Sequence, residues 1–247
     1  MDKLDQFKKD LEELHISMSD TQFDQFLVYY EMLVEKNKVM NLTAITEFDE
    51  VLKKHFIDSL SLVKVCDLNG NGYESLIDVG TGAGFPGIPL KIAFPDLKVT
   101  LLDSLNKRVS FLQEVIEELG LCGAEAVHGR AEDFAKSGQL RETFDLCVSR
   151  AVANLSTLSE YCLPYVKVGG KFISYKSEKV SIESGNNKNE IEQADHAISV
   201  LGGKLAEQRG FMLPFSDIYR NLIVIEKSRP TPKQYPRKAG TASKNPL

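Results

Sequence analysis

The chain has 247 residues, 43% of them apolar and 26% charged, which excludes collagen, coiled coil and wholesale disorder and leaves length enough to bury a core. Its formal charge of −5 argues against an undirected polyanion binder. That sum conceals an asymmetry: Lys227, Arg229, Lys233, Arg237, Lys238 and Lys244 occupy the last 21 residues without an Asp or Glu, leaving 24 basic against 35 acidic residues in the first 226, so an acidic body carries a basic tail.

The elements follow in chain order. Leu4, Phe7, Leu11 and Leu14 repeat at helical spacing and predict a helix ending near His15. Ser19 and Gln22 form a capping-box signature ahead of Phe23, Phe26, Leu27, Tyr30, Leu33 and Val34, a second amphipathic helix that the polar run from Asn37 breaks. Phe48, Val51, Leu52, His55, Phe56, Leu60 and Val63 mark a third, and Asn69 to Gly72 is turn chemistry. From Ser75 short apolar runs alternate with helices. Strands are predicted at Leu76–Val79, Leu97–Leu102, Ala124–Val127, Phe144–Val148 and Lys171–Tyr175, the last after a Gly169, Gly170 turn. Helices are predicted after the glycine-rich turn, over Leu105–Leu119, from Leu155 to Tyr165 and over Asn189–Leu201. Two strands near Lys204–Gln208 and Asn221–Glu226 close the chain around a Gly-Phe-Met-Leu-Pro turn. Alternating strands and helices imply right-handed crossovers and a mostly parallel sheet. The final pair, with no helix between them, implies an antiparallel edge strand.

Cys66, Cys122, Cys147 and Cys162 show no C-x-x-C spacing, and three lie in apolar runs, so they read as buried reduced thiols, with no metal site expected. No apolar run approaches the roughly 20 residues of a membrane span, and the charged N-terminus is unlike a secretory signal. A cytoplasmic protein without a membrane partner is expected.

The segment Asp78-Val-Gly80-Thr-Gly82-Ala-Gly84-Phe-Pro86-Gly87 carries the most information. A strand runs through closely spaced glycines into a helix, at the edge of a doubly wound sheet where ligands bind. Asp103, at the end of the second strand, is placed to accept both hydroxyls of a ribose. Gly82, Gly84 and Gly87 also satisfy the dinucleotide pattern, a weak signal alone, and no hydride-transfer constellation follows. Asp78 instead suits a cationic ligand such as S-adenosylmethionine, whose amine and sulfonium replace a pyrophosphate. Ala131 and Glu132, after the third strand, could supply an apolar face and a polar edge for adenine. Arg150, ending the fourth, could pair with a methionyl carboxylate or an RNA phosphate, or simply with a nearby acid. His55 and Asp58, one helical turn apart, either brace the pocket or belong to the core.

Asn41-Leu-Thr-Ala-Ile45, His55-Phe-Ile-Asp58-Ser-Leu, the segment Asp78 to Pro89, Ser149-Arg-Ala-Val-Ala and Thr231-Pro-Lys-Gln-Tyr-Pro-Arg-Lys-Ala-Gly240 together resemble the bacterial small-subunit ribosomal RNA methyltransferases once called glucose-inhibited division protein B. The resemblance runs from about residue 20 to the C-terminus. It implies a class I S-adenosylmethionine-dependent methyltransferase fold, Rossmann-like, with a mostly parallel seven-stranded sheet. It divides the chain into a helical extension (1–68), a methyltransferase domain (69–227) and a basic tail (228–247). It implies methyl transfer to N7 of a guanine in 16S ribosomal RNA, free or in the small-subunit assembly. Cofactor contacts carry over to Gly80, Phe85, Asp103, Ser104, Leu105, Ala131, Glu132 and Arg150.

That target agrees with the residues. Guanine N7 has an in-plane lone pair and no proton, so displacement at a sulfonium methyl needs no general base, and positioning can carry catalysis. Cys147 lies too early and too deep for a pyrimidine nucleophile. The tail, held extended by its prolines, offers Arg229, Lys233, Arg237 and Lys238 to phosphates and Tyr235 for stacking, unless it is simply solvated. Lys176, ending the fifth strand, either joins that surface or is solvated. A monomer is expected. A nucleoside-sensing regulator and a dinucleotide-dependent oxidoreductase are the alternatives.

Overall fold

Ser19 starts the second helix as its sequence pattern requires: the Gln22 amide donates to its hydroxyl while the Ser19 amide donates to the Gln22 side chain, satisfying two otherwise unpaired donors. The computed structural model describes residues 3–69, 72–136, 140–150, 152–177 and 189–247. Gly70 and Asn71 of the predicted turn, and Ala151 of the Ser149–Ala153 motif, lie outside them.

Helices α1 (Lys3–Glu13) and α2 (Asp20–Met40) precede a third helical stretch. Helix α2 runs past Asn37 and stops where Asn41 adopts a left-handed C-cap. The polar run does not break the helix because Asn37 keeps its helical backbone and uses its side-chain oxygen to accept from the Thr43 amide in the following turn. The third stretch combines α3 (Phe48–Val51), a π-helical turn (Leu52–Ile57), α4 (Asp58–Leu60) and a 3-10 turn (Ser61–Lys64).

Seven strands make one sheet: β1 (Ser75–Val79), β2 (Lys98–Asp103), β3 (Ala124–His128), β4 (Phe144–Arg150), β5 (Val166–Lys176), β6 (Gly203–Met212) and β7 (Tyr219–Lys227), in the order β3-β2-β1-β4-β5-β7-β6. Strands β1 to β5 are parallel, and β7 is antiparallel to both of its neighbours. Helices α5 (Gly87–Ala93), α6 (Asn106–Glu118), α7 (Ala131–Phe134), α8 (Leu155–Cys162), α9 (Glu190–Val200) and α10 (Thr241–Lys244) complete the fold.

Three expectations change. The antiparallel strand is not the edge: β7 folds back between β5 and β6, burying Leu222, Ile223, Val224 and Ile225 in succession, as a strand covered on both faces requires. Strand β6, with exposed Gln208 and Arg209, takes the edge. Gly169 and Gly170 lie inside β5, where the pairing with β4 shifts register and Gly169 has φ +89°, so they form a bulge rather than a turn. Strand β6 also continues through Met212, so Gly210, Phe211 and Met212 of the predicted Gly-Phe-Met-Leu-Pro turn are strand and the connection begins at Leu213.

Adjacent strand residues face opposite cores. Leu76, Leu101, Val148 and Ile173 pack with α1 to α6, and Ile77, Leu102, Cys147 and Phe172 with α8 and α9. Phe7, Phe26, Tyr29 and Phe56 belong to the same core as Leu76 and Phe111, so the N-terminal helices cover one face of the sheet and brace its ligand edge. No described helix is long and apolar enough to cross a membrane.

The last 20 residues do not form an extended appendage. Arg141 donates to the carbonyls of Thr231 and Tyr235, Pro236 is buried, and Tyr235 and Leu247 pack against the α8–α9 core. These hydrogen bonds tie the tail's backbone to the body of the protein. Lys227 is fully buried, donating to the Leu163 carbonyl and the Thr231 hydroxyl. Burial pulls its ammonium down to about 8, against the pull of Glu142.

Candidate cofactor groove

The glycine-rich loop is organised from beneath by Asp78. This carboxylate is fully buried, and its Oδ2 accepts from the Thr81 hydroxyl at 2.6 Å and the Gly87 amide at 2.9 Å. A side chain at Gly87 would strike Leu101 and crowd Asp78. Because α5 presents its first amide to Asp78, the helix end that a pyrophosphate would occupy is already capped. Asp78 therefore does not face a cationic ligand, as its position suggested; it holds the loop in shape. Its Oδ1 is buried without a hydrogen-bond partner, and burial raises the carboxyl to about 6 despite both hydrogen bonds.

Asp103 crosses the loop from the neighbouring strand. Its Oδ2 accepts from the Gly82 amide and its Oδ1 from the Leu105 amide, each at 2.9 Å, with Arg108 at 3.5 Å. Each carboxylate oxygen accepts more than one hydrogen bond, so these contacts orient the group without exhausting it. Gly80 (φ +72°) donates to the Leu102 carbonyl, and a Cβ there would lie 2.6 Å from Val152. Val152 thus packs where a side chain at Gly80 would stand, so only glycine fits at this turn of the loop.

Two cavities meet at these residues. One of about 290 Å³ is lined by Gly80, Asp103, Ser104, Ala131, Glu132 and Val152, with Tyr161, Gly240 and Ser243. The other, about 520 Å³, is lined by Thr43, His55, Phe85, Leu105, Arg108 and Arg150 together with the same Gly80, Asp103, Ser104 and Val152. The sequence-based candidates Gly80, Phe85, Asp103, Ser104, Leu105, Ala131, Glu132 and Arg150 all line this groove. Leu105 and Val152 are 52% and 42% exposed, which gives it an apolar surface.

At the larger end, His55 stacks on Phe85 with ring centroids 4.5 Å apart, and the Arg150 guanidinium lies 5.0 Å above the same ring. Arg150 donates to Asp58 Oδ2 at 2.7 Å, and Arg220 to Asp58 Oδ1 at 2.8 Å. His55 Nδ1 lies 3.3 Å from Arg150 Nη2, which can only donate, so Nδ1 accepts and Nε2–H donates to Thr43 Oγ1 at 2.8 Å. Burial, with the adjacent Arg150 charge, lowers the imidazole to about 3 and keeps it neutral. The π-helical turn, a local widening common at functional sites, also leaves the Lys54 carbonyl to accept from Arg150. A third cavity, about 370 Å³, opens behind this cluster and is lined by Lys54, His55, Asp58, Arg150, Lys176 and Arg220.

The candidates for RNA contact are dispersed. Lys176 pairs with Glu190 at 2.6 Å and donates to the Ala153 carbonyl. Arg229 donates to the Ser199 carbonyl, and Arg237 engages Glu160. Lys233 and Lys238 are exposed. Sequence reasoning overlooked Val152, Tyr161, Gly240 and Ser243 as lining residues. Val152 was legible from its place two residues after Arg150; the others are brought in by tertiary packing. Cys66, Cys147 and Cys162 are buried and Cys122 is exposed, and burial holds the Cys147 thiol well above its ordinary range.

Residues 22–211 match a family model described as rRNA small subunit methyltransferase G. The chain is 53% identical over 241 residues to Ribosomal RNA small subunit methyltransferase G of Lachnoclostridium phytofermentans, covering 98% of this chain and 96% of that one. It is 54% identical over 240 residues to the protein of the same name from Alkaliphilus metalliredigens, covering 97% of each. Among solved structures, a SAM dependent methyltransferase from Aquifex aeolicus superposes with a TM-score of 0.51 at 18% identity, over 78% of this chain and 97% of that one, a likeness of fold.

Proposed function

This chain belongs to the rRNA small subunit methyltransferase G family, and we propose on that premise that it transfers a methyl group from S-adenosylmethionine to N7 of a guanine in 16S ribosomal RNA. The observation that carries the reading is the continuity of the two cavities across Gly80, Asp103, Ser104 and Val152. It makes one groove with a nucleoside end carrying Asp103 and Glu132 and an amino-acid end carrying Arg150. The residues present fit the methyl donor: the backbone of Gly80 on the wall of both cavities, an oriented carboxylate at Asp103, Ala131 and Glu132 at the nucleoside end, and Phe85 and Arg150 at the other. Asp103 accepts from the ribose hydroxyls, and Glu132 and the Ala131 backbone meet the adenine. Arg150 attracts the amino-acid carboxylate while Asp58 fixes its direction.

The donor supplies an electrophilic methyl on a sulfonium. The chain's residues bind, orient and exclude water; guanine N7 carries no proton, so no side chain need act as a base. Neutral His55 suits that arrangement, because it stiffens Arg150 without adding a second positive charge. The cavity behind Arg150, with Lys54, Lys176 and Arg220 on its walls, lies where the target nucleotide enters. Exposed Lys233 and Lys238 reach RNA phosphates on the side of the smaller cavity, with Tyr235 and Arg237 at the root of that surface, while Arg229 lies beside Gly202 at the far edge of the sheet. A monomer working in the cytoplasm fits this reading.

Methyl transfer to small-subunit RNA, naked and assembled, with the modified nucleotide identified by mass, is the test. N7-methylguanosine at one site is expected. A methyl group on another atom would correct the target. Tight S-adenosylhomocysteine binding without transfer to either RNA form would leave a nucleoside-sensing regulator.

A further inference from the structure

The C-terminal segment contributes to the smaller cavity through contacts concentrated on one helix. Helix α8 turns Ser156, Thr157 and Glu160 toward it, and all three are buried. The Ser156 hydroxyl donates to the Leu247 carbonyl and the Thr157 hydroxyl to the Ala242 carbonyl. Glu160, 1% exposed, accepts from the Arg237 backbone amide at 2.7 Å, and from its guanidinium at 3.0 Å through Nε and 2.6 Å through Nη2. The same guanidinium donates to the Asn245 carbonyl at 2.8 Å, bridging both ends of the short α10.

Two consequences reach the groove. Gly240 and Ser243 stand on the wall of the nucleoside cavity, opposite Gly80 and Asp103. In addition, the Gly240 amide donates to Glu132 Oε1 at 2.8 Å, fixing the rotamer of the carboxylate that lines the same cavity. Arg237 was expected to meet RNA phosphate; its guanidinium is instead turned inward onto a buried acid.

We propose that residues 237–243 are a built wall of the nucleoside end of the groove, and that Arg237 and Glu160 are positioning residues for adenine-nucleoside binding, acting through Gly240 and Glu132. The proposal rests on the cofactor reading above and adds a part of the chain to it. Bidentate pairing to a buried carboxylate gives the latch a single geometry, and that geometry reaches the ligand only through the Gly240–Glu132 hydrogen bond and the shape of the wall.

Two variants test it. Arg237→Gln combined with Glu160→Gln removes both charges together and leaves no buried charge unpaired. Ser243→Trp leaves the latch intact and puts an indole on the cavity wall. S-adenosylhomocysteine binding is read by calorimetry, alongside KM and kcat for methyl transfer and a thermal melt. The expected result is a rise of about tenfold in both the Kd for S-adenosylhomocysteine and the KM for the methyl donor, with kcat at saturating donor within about twofold of wild type. A merely structural latch would lower Tm without moving KM. If the latch variant does not fold, Ser243→Trp decides alone. Binding within about twofold of wild type in every folded variant overturns the proposal. Failure of the wild type itself to bind S-adenosylhomocysteine overturns the cofactor reading instead.

Discussion

The two ends of the groove are closed by opposite ends of the chain, and by different physics. At the larger end the N-terminal helices supply Thr43, His55 and Asp58 to a charged, hydrogen-bonded cluster around Arg150 and Phe85. At the smaller end the C-terminal segment supplies Gly240 and Ser243 to a wall held by one ion pair, a few backbone contacts and the burial of Pro236 and Ala242. The first wall grows from helices that share the main core. The second is laid on the other face of the sheet by α8. An element anchored by apolar burial tolerates the loss of one polar contact; a segment anchored by a few polar contacts does not.

Asp103, which lines both cavities, should abolish the distinction when removed. Asp103→Ala frees the Gly82 and Leu105 amides and is expected to weaken S-adenosylhomocysteine binding by about a hundredfold, two charge-assisted hydrogen bonds' worth, as calorimetry would show. A loss below about tenfold would mean that the loop keeps its shape without the carboxylate.

Asp58→Ala should disturb only the larger end. It leaves Arg150 and Arg220, both partly buried, without their shared carboxylate, at an expected cost of about 2–3 kcal/mol in urea denaturation, below the full buried-pair value because both guanidinium groups retain some solvent. Unchanged stability would show that water replaces Asp58.

Acidification sets two groups beside the groove against each other. Asp78 is held up at about 6 and His55 down at about 3. Asp78 takes its proton more readily folded than unfolded, so its contribution to stability grows as pH falls through about 6 and is complete below its ordinary 3.8. His55 resists protonation, so its contribution is present above 6.5 and is lost as pH falls toward about 3. The two slopes oppose each other. Asp78→Asn keeps an acceptor for Thr81 and Gly87 but removes the compensating slope, so between about pH 6 and the ordinary carboxylate value of 3.8 it should lose stability faster than wild type. Parallel denaturation curves for the two proteins across that window would refute the assignment.

The smallest effect is expected from the exposed cations beyond the smaller end. Lys233→Ala with Lys238→Ala should leave S-adenosylhomocysteine affinity within about twofold and reduce the salt slope of RNA binding by about 1 to 2, the value for two phosphate contacts. A salt slope equal to that of wild type would remove both lysines from the RNA surface.

Much of the fold was legible because its signals are local. The Ser19 capping box, the apolar period of α6 and the strand–glycine–helix run at Asp78 are each written within a few consecutive residues, and each forms as read. The resemblance to the methyltransferase family rests on motifs of the same short range. What was not legible depended on partners distant in sequence. Asp78 reads as a ligand-facing acid until α5 folds over it, and the acid that pairs with Arg150 is unidentified until Asp58, 92 residues earlier, closes on it. Which of the last two strands forms the edge is decided only when the apolar run of β7 is inserted between β5 and β6.

The basic tail shows the division most clearly. The order of residues alone determined that an acidic body carries six cations at its end, because charge is a property of each residue taken singly. Only the tertiary structure decided which of those charges face water. Lys227 and Arg237 are turned inward onto carbonyls and buried acids, while Lys233 and Lys238 remain exposed. A charge enters the interior where the fold satisfies its hydrogen bonds, and those partners lie on Glu142, Glu160 and Leu163, far away along the chain.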